Sequence, residues 1–430
     1  MAATLMKTVL IANRGEIAIR VIRAAAELGL RTVAVFSDDD AESLPVRTAD
    51  EAHALGAAGA AAYLDVDRLL EIAAATGADA IHPGYGFLSE NAGFAARCAE
   101  AGVTFVGPGP DMLALFGDKA TARALAARLG VPVLPGTPGG ITVDDAAAFM
   151  TGLGPDAAVM LKAVAGGGGR GSRVVTELEQ LPALFDRCRS EAASAFGDGS
   201  LFAEELVAHA RHVEVQIVGD GTGQVSHLWE RECSLQRRHQ KLVEMAPARG
   251  LDAAVRDAVI ADAVRMAAEV RYRSLGTFEF LIDVDTGRYV FLEANPRLQV
   301  EQTVTEEVLD LDLVRAQLQL AAGGTLVEVG LDQGSVGEPR GTAVQCRLNM
   351  ETMAADGTAH PGGGLLTAFD VPSGRGYRTD SFGYVGYRTS PSFDSLLAKV
   401  IVQTPSPRLA DALTKADRAL TETHIEGVAT

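Results

Sequence analysis

Cysteine is scarce in this 430-residue chain. Only Cys98, Cys188, Cys233 and Cys346 occur, far apart, with no CxxC pair and no histidine nearby at metal-ligand spacing. That removes the disulfide-framework and structural-zinc readings and makes a reducing, cytoplasmic setting the expected one. Long hydrophobic runs are also missing. None reaches the roughly 18 residues that cross a bilayer, and the apolar run after Lys7 ends at Asn13, too short for a signal peptide. Positive charge is in deficit: 38 basic against 56 acidic side chains leave a net charge of −18, which opposes attachment to nucleic acid or to an anionic membrane. No period of 20–50 residues links the segments, so a solenoid is excluded.

Glycine, by contrast, is abundant: 46 residues, about 11% against a usual value of about 7%. It gathers at Gly84–Gly86, Gly107–Gly109, Gly136–Gly140, Gly166–Gly171 and Gly362–Gly364. The length suffices for two to three domains. Strands at Thr8–Ala12, Thr32–Phe36, Ala80–His82 and Thr104–Val106 alternate with helices, including Glu16–Leu28 and Asn91–Ala101, so the first hundred residues predict a parallel α/β sheet. A bridging helix over Asp111–Leu129 precedes a Gly/Pro-rich boundary. A small unit then follows: helix Asp144–Thr151, strand Ala158–Ala163, the glycine run, strand Gly171–Val175, helix Pro182–Ala195 and strand Leu201–Glu204. Antiparallel strands at His212–Val218, Gln224–Arg231, Thr277–Val284 and Arg288–Glu293 form a larger sheet beside helix Asp252–Tyr272. After a helix over Glu306–Ala322, strands at Thr342–Asn349, Leu365–Phe369, Gly376–Asp380 and Ser395–Val402 predict a mostly β terminal unit, closed by helix Pro407–Glu422.

Three groups of residues carry chemistry. Gly166, Gly168 and Gly171 satisfy GxGxxG, but a strand follows rather than a helix, so the dinucleotide fingerprint fails its context, and no Lys-Ser or Lys-Thr completes a Walker motif. Lys162 and the bare loop suit phosphate oxygens; a tight, mobile hairpin is the alternative. Strand alternation and the Asp285-Thr286-Gly287 turn bring Glu279 opposite or diagonal to Glu293, which with Asn295 offers hard oxygen ligands for Mg²⁺, unless this is only a solvated sheet face. Asn295 to Glu301 then supplies an amide, a guanidinium, a second amide and a carboxylate, a set suited to a small planar anion and its proton. The basic run Gln236–Lys241 has no RNA-binding aromatic signature around it. His53, His209 and His227 lack companions and are expected to be structural, and Glu90-Asn91 is a candidate cap for the next helix.

Ile11 to Ala18, His82 to Asn91, Lys162 with Gly166–Gly171, Gln236–Lys241, Gly276 to Phe280 and Glu293–Glu301 together, in this order, resemble the biotin carboxylase family. The likeness runs from Lys7 to Val428. It implies a doubly wound N-terminal domain (1–115), an ATP-grasp region (116–335) with a mobile lid (137–204), and a C-terminal β-rich domain (336–430). It implies MgATP-dependent activation of bicarbonate as carboxyphosphate and carboxylation of N1 of carrier-bound biotin, with Mg²⁺ or Mn²⁺.

By the same resemblance, Lys119 and Lys162 contact ATP phosphates, Gly166, Gly167, Gly168 and Gly169 fold over them, and Glu204, Glu205 and Val207 form the adenine hinge. His212, Gln236 and His239 lie around the nucleotide, and Glu279, Glu293 and Asn295 hold metal. Lys241, Arg297, Gln299 and Val300 bind bicarbonate, Glu301 is the base, and Arg347 stabilises the biotin enolate. Partners implied are a biotin carboxyl carrier, a carboxyltransferase component, and a second copy of the chain or a larger complex. No biotin-acceptor motif occurs, Gln302-Thr303 stands where relatives commonly have His and Pro or Thr, and Ala294 replaces a frequent Met. A different ATP-grasp ligase or a non-turning-over assembly subunit are the alternatives.

Overall fold

The computed structural model describes residues 6–155, 157–164, 171–238, 240–355 and 357–430. The first unit is a parallel sheet of β1 (Thr8–Ile11), β2 (Arg31–Phe36), β3 (Glu51–Ala54), β4 (Ala80–His82) and β5 (Thr104–Phe105), in spatial order β3-β2-β1-β4-β5. β1 is buried along its whole length, as the central strand of a sheet covered on both faces must be. Helices α1 (Gly15–Glu27), α2 (Leu44–Thr48), α3 (Val66–Thr76) and α4 (Ala92–Glu100) intervene. Strand β3, half-buried and polar, was not among the expected strands.

The expected bridging helix is two helices, α5 (Pro110–Gly117) and α6 (Lys119–Arg128). Asp118 breaks it: its Oδ1 accepts hydrogen bonds from the N–H groups of Ala120 and Thr121 at 2.8 and 3.1 Å, an N-cap that starts a new helix. The small unit follows the expected order, with α7 (Val143–Leu153), β6 (Val159–Ala163), β7 (Ser172–Val175), α8 (Leu181–Phe196) and β8 (Leu201–Glu205). Its three strands pair as β7-β6-β8 and enclose a core of their own, including Ala146, Val159, Leu161, Phe185 and Ala203.

The main sheet has eight strands. From the central region come β9 (Ala210–Asp220), β10 (Val225–Arg237), β11 (Gln240–Ala246), β12 (Arg273–Asp283) and β13 (Tyr289–Asn295), with α9 (Ala253–Glu269) packed on Phe278, Phe280 and Phe291. The expected single helix after them is α10 (Gln302–Leu309) and α11 (Leu313–Ala321). Asp310 lies at φ 57°, and Asp312 accepts from the Arg315 N–H at 2.7 Å, so the chain stops and restarts between them.

The terminal unit contains β14 (Thr342–Asn349), the pair β15 (Glu351–Met353) and β16 (Ala359–Pro361), β17 (Ala368–Asp370), β18 (Tyr377–Ser381), β19 (Leu396–Thr404), α12 (Leu409–Glu422) and β20 (His424–Glu426), which pairs with β17. The terminal unit is β-rich, as expected, and its strands β14, β19 and β18 continue the main sheet. The order β13-β12-β9-β10-β11-β14-β19-β18 runs through both regions, joined where Glu244 of β11 faces Gln345 of β14. Met245, Val344, Val400 and Val402 present one apolar face to Ala412, Ala416 and Ala419 of α12, which favours a continuous sheet over two edges.

Close packing fixes β12. Tyr272 is fully buried and donates its hydroxyl to the Leu275 carbonyl at 3.1 Å; a Cβ on Gly276 would lie 2.0 Å from that hydroxyl oxygen. Gly276→Ala is therefore expected to destabilise the chain by about 1–3 kcal/mol through overpacking. Urea unfolding measures it, and an unchanged midpoint would contradict this packing.

Candidate functional site

The site grows from a row of charged residues across the main sheet. In register, Arg231 of β10 faces Glu214 of β9, Glu214 faces Glu279 of β12, and Glu279 faces Glu293 of β13. The register shift after Glu279 leaves Glu293 directly opposite it, as the hairpin reading anticipated. Asn295, two residues on, donates its amide to Glu279 Oε1 at 2.6 Å. Lys119, at the start of α6, reaches Glu293 Oε2 at 2.7 Å.

Lys241 of β11 enters this row from the side. Its ammonium lies 2.6 Å from Glu214 Oε2, 3.2 Å from Glu279 Oε1 and 2.7 Å from Glu301 Oε1. The Arg231 guanidinium, wholly buried, bonds to Glu214 at 2.5 Å, Gln216 at 2.8 Å, Thr305 at 3.0 Å and Thr277 at 3.2 Å. Burial alone would push the Glu301 carboxyl up, but Lys241, Arg347 and Arg231 together hold it well below the usual carboxylate range. Glu279 is likewise held low against its burial by Lys241 and His212. Burial disfavours the charged Lys241, yet Glu214, Glu279 and Glu301 keep its pKa well above that of an ordinary lysine. Glu279 and Glu301 are thus held as carboxylates and Lys241 as an ammonium around neutral pH.

Arg347 of β14 joins the cluster from the terminal unit. Its Nε donates to Glu244 Oε1 at 2.6 Å and its Nη2 reaches Glu301 Oε2 at 3.2 Å. Burial raises the Glu244 carboxyl while cations lower Glu301, so two acids on one guanidinium are pushed in opposite directions. His212 donates to Glu279 through Nε2 and meets the Gln236 amide through Nδ1 at 2.9 Å. Burial opposes its protonation, but Glu279 prevails and raises its pKa.

Arg297 occupies the turn between β13 and α10. It pairs with Glu90 at 2.8 Å, with Gln299 Oε1 at 3.0 Å and with Asn295 Oδ1 at 3.3 Å, while Gln299 Nε2 lies 3.3 Å from Glu279. Val300 turns its carbonyl to Lys399 at 3.1 Å. On the small unit, Lys162 and Arg123 both pair with Glu204, and Glu205 pairs with Arg288 at 2.7 Å. Glu204 and Glu205 therefore end β8, with Val207 in the half-buried connection into β9. Gly166, Gly167, Gly168, Gly169 and His239 lie outside the described residues. Among the described residues no side-chain hydrogen bond or ion pair joins Lys162, Glu204 and Glu205 to the Lys241 cluster, although Lys119 feels the charges of both Glu293 and Glu204.

Glu214, Arg231, Glu244, Glu90 and Arg123 are part of this arrangement and escaped the sequence reading. For Glu214 a signal existed, because alternation along β9 puts it on the same face as His212 and Gln216. Asn91 does cap α4, accepting from Phe94 N–H at 2.8 Å, whereas Glu90 is spent on Arg297. Gln302 is fully buried, and among the described residues its amide has no hydrogen-bond partner.

Chemically, the arrangement offers paired carboxylates, with the Lys241 ammonium and the Arg347 guanidinium converging on the ionised Glu301. Comparison with known proteins places the chain in a family. The N-terminal domain of biotin carboxylase matches residues 5–113, the ATP-binding domain of the carbamoyl-phosphate synthase L chain matches residues 118–329, and the biotin carboxylase C-terminal domain matches residues 345–430. Pyruvate carboxylase 1 of Caenorhabditis elegans is 47% identical over 426 residues, which are 98% of this chain and 36% of that protein. The mitochondrial pyruvate carboxylase of Homo sapiens is 46% identical over 99% of this chain and 36% of its own length, so the chain spans little more than a third of such relatives.

Among solved structures, a biotin carboxylase–ATP complex from Campylobacter jejuni superposes with a TM-score of 0.92 at 38% identity, covering 99% of this chain and 93% of the other. The biotin carboxylase domain of Hydrogenobacter thermophilus 2-oxoglutarate carboxylase, solved as a dimer with MgADP, ADP and bicarbonate, gives 0.91 at 41% identity, covering 99% and 92%. The biotin carboxylase domain of a single-chain bacterial carboxylase is 51% identical, with a TM-score of 0.87 and coverage of 98% of this chain and 90% of that one. With both chains matched almost end to end at that identity, this chain belongs to the biotin carboxylase family.

Proposed function

We propose that the chain performs the first half-reaction of a biotin-dependent carboxylase: MgATP activates bicarbonate as carboxyphosphate with release of ADP, and the carboxyl group passes to N1 of a carrier-bound biotin as inorganic phosphate leaves and N1 gives up its proton. The observation that supports this best is the convergence of Lys241, Arg347 and the ionised Glu301 beside the Glu279/Glu293 pair. Within this reading, Lys119 and Lys162 hold ATP phosphates, with Gly166–Gly169 above them. Glu204, Glu205 and Val207 form the adenine hinge, and His212, Gln236 and His239 complete the nucleotide's surroundings.

Glu279, Glu293 and Asn295 fit a hard divalent cation, because opposed carboxylates and an amide supply oxygen donors on one sheet face. When bound, Mg²⁺ or Mn²⁺ neutralises polyphosphate charge. Lys241, Arg297, Gln299 and Val300 hold bicarbonate, and Glu301 takes its proton so that the bicarbonate oxygen attacks the γ-phosphorus and ADP leaves. In the ligand-free cluster Glu301 is a weak base. An anion placed against Lys241 and Arg297 offsets the surrounding positive charge and raises its proton affinity when it is needed. Arg347, oriented by Glu244, faces the negative charge that develops on the biotin ureido oxygen.

The same reading divides the chain at 1–115, 116–335 and 336–430, with 137–204 as a lid over the nucleotide; the separate core of the small unit supports a body able to move by itself. It places the chain beside a biotin carboxyl carrier and a carboxyltransferase component, as a homodimer or in a larger complex, in the cytoplasm. No helix among the described residues is long and apolar enough to cross a membrane.

Phosphate release measured while each reactant is withheld tests the reaction. Turnover is expected to require bicarbonate and to rise with free biotin or a biotinylated carrier; turnover that ignores both points to another ATP-grasp ligase. Glu301→Gln keeps size but cannot accept a proton. It is expected to lower the chemical step by about 10²–10⁴-fold with nucleotide affinity unchanged, as read by pre-steady-state phosphate release beside a nucleotide titration. Near-normal turnover would remove Glu301 from the role of base.

A further inference from the structure

Lys399 of β19 is wholly buried, and its ammonium gathers oxygens from three distant segments. It lies 2.9 Å from Glu16 Oε1 on α1, 3.1 Å from the Val300 carbonyl and 3.8 Å from Asp380 Oδ2 on β18. Glu16, also buried, accepts a second hydrogen bond from the Tyr85 hydroxyl. Asp380 is held by both arms of Arg378, at 2.9 and 2.8 Å, and Arg378 reaches Glu306 of α10 at 2.8 Å. The first domain, the terminal strands and the turn before α10 thus meet around one ammonium.

Burying such a charge costs several kcal/mol, and a well-packed apolar side chain would serve stability as well or better. The carbonyl that Lys399 takes supplies a positional reason for the charge. It belongs to the planar peptide unit linking Val300 to Glu301, so fixing its oxygen also fixes the direction in which the Glu301 backbone leaves. The segment Pro296–Glu301 lies outside helix and strand, and among the described residues its backbone bonds are few and local: Arg297 N–H to Asn295 O at 2.9 Å, Gln302 N–H to Gln299 O at 3.4 Å and Val304 N–H to Glu301 O at 3.3 Å, the last two leading only into α10. Among the described residues, Lys399 ties this segment's backbone to the terminal strands, and Glu16 links the same ammonium to the first domain.

We propose that Lys399, braced by Glu16, is a positioning residue for the base of the reaction: it holds the Val300–Glu301 peptide so that the Glu301 carboxylate meets Lys241 and Arg347 in one geometry. The proposal rests on the reading of Glu301 as base. It also assigns a function to contact between the first and terminal domains, because a shift of α1 against β19 would be felt at Glu301 through a single ammonium.

Four proteins separate positioning from simple stability: the unaltered chain, Glu16→Gln, Lys399→Met and Glu16→Gln/Lys399→Met. Lys399→Met alone leaves Glu16 uncompensated and is expected to lower the thermal midpoint. The double variant removes both charges and is expected to regain much of that midpoint. Its kcat for bicarbonate- and biotin-dependent phosphate release should nevertheless stay about 10²-fold down, the effect of a misplacement of about 1 Å, with KM for MgATP within about twofold of normal. Recovery of kcat together with the midpoint would overturn the proposal. Should the double variant fail to fold, Glu16→Gln decides: a kcat loss of about tenfold at unchanged KM supports positioning, and an unchanged kcat refutes it. An unaltered chain without bicarbonate-dependent turnover would instead overturn the reading of Glu301, so the two failures are distinguishable.

Discussion

One ammonium, that of Lys241, is shared by Glu214, Glu279 and Glu301 at 2.6, 3.2 and 2.7 Å, and the centre of the molecule is built around that sharing. Three buried carboxylates so close together would repel one another and draw protons if left alone. Lys241 and the buried Arg231 offset that charge, with Glu279 and Glu301 held in their ionised forms, and Arg347 adds a third cation from the terminal unit. Because these residues come from β9, β10, β11, β12, β14 and the turn before α10, the charge balance can be met only when the eight-stranded sheet is complete. Removing any one cation would strand a buried negative charge, a far larger penalty than the pair itself contributes.

This arrangement also explains how a polar site can exist ready-made inside a protein. Without ligands, the cations proposed to receive ATP and bicarbonate are held by the protein's own acids: Lys119 by Glu293, Lys162 by Glu204, Arg297 by Glu90. Ligand binding in this scheme exchanges partners among charges already oriented, so little reorganisation is left for the chemical step. The cost is that each acid is tuned by its neighbours. Glu301 is held well below the usual carboxylate range by the cations around it, and the proposed reaction requires an anion to offset them before it can act as a base.

The sequence revealed most where chemistry follows local spacing. Alternation in β12 and a short turn were enough to place Glu279 against Glu293, and the α/β rhythm of the first hundred residues gave the parallel sheet. It revealed least where a partner is remote. Nothing near Arg297 points to Glu90, and nothing near Arg347 points to Glu244, because β11 is not among the strands the sequence predicts. Asp118 and Asp310–Asp312 sit within apolar periodicity that continues on both sides, so single helices were expected where aspartate caps break them. The continuity of the main sheet into the terminal unit is likewise a matter of edge matching between β11 and β14, which no local pattern encodes.

The central claim is that Glu301 is ionised by its neighbours and gains proton affinity only when ligands enter. Its folded pKa lies below the unfolded carboxylate value, so its charged state, and the stability that state brings, persist above the usual range near pH 4 and are lost only as pH falls through the lower folded value. Difference infrared spectroscopy between the unaltered chain and Glu301→Gln, taken across pH with and without MgADP and bicarbonate, reads this carboxylate directly. The account predicts an ionised Glu301 band below pH 4 in the ligand-free protein and protonation at higher pH once both ligands are bound; a protonated band near pH 6 without ligands would contradict it.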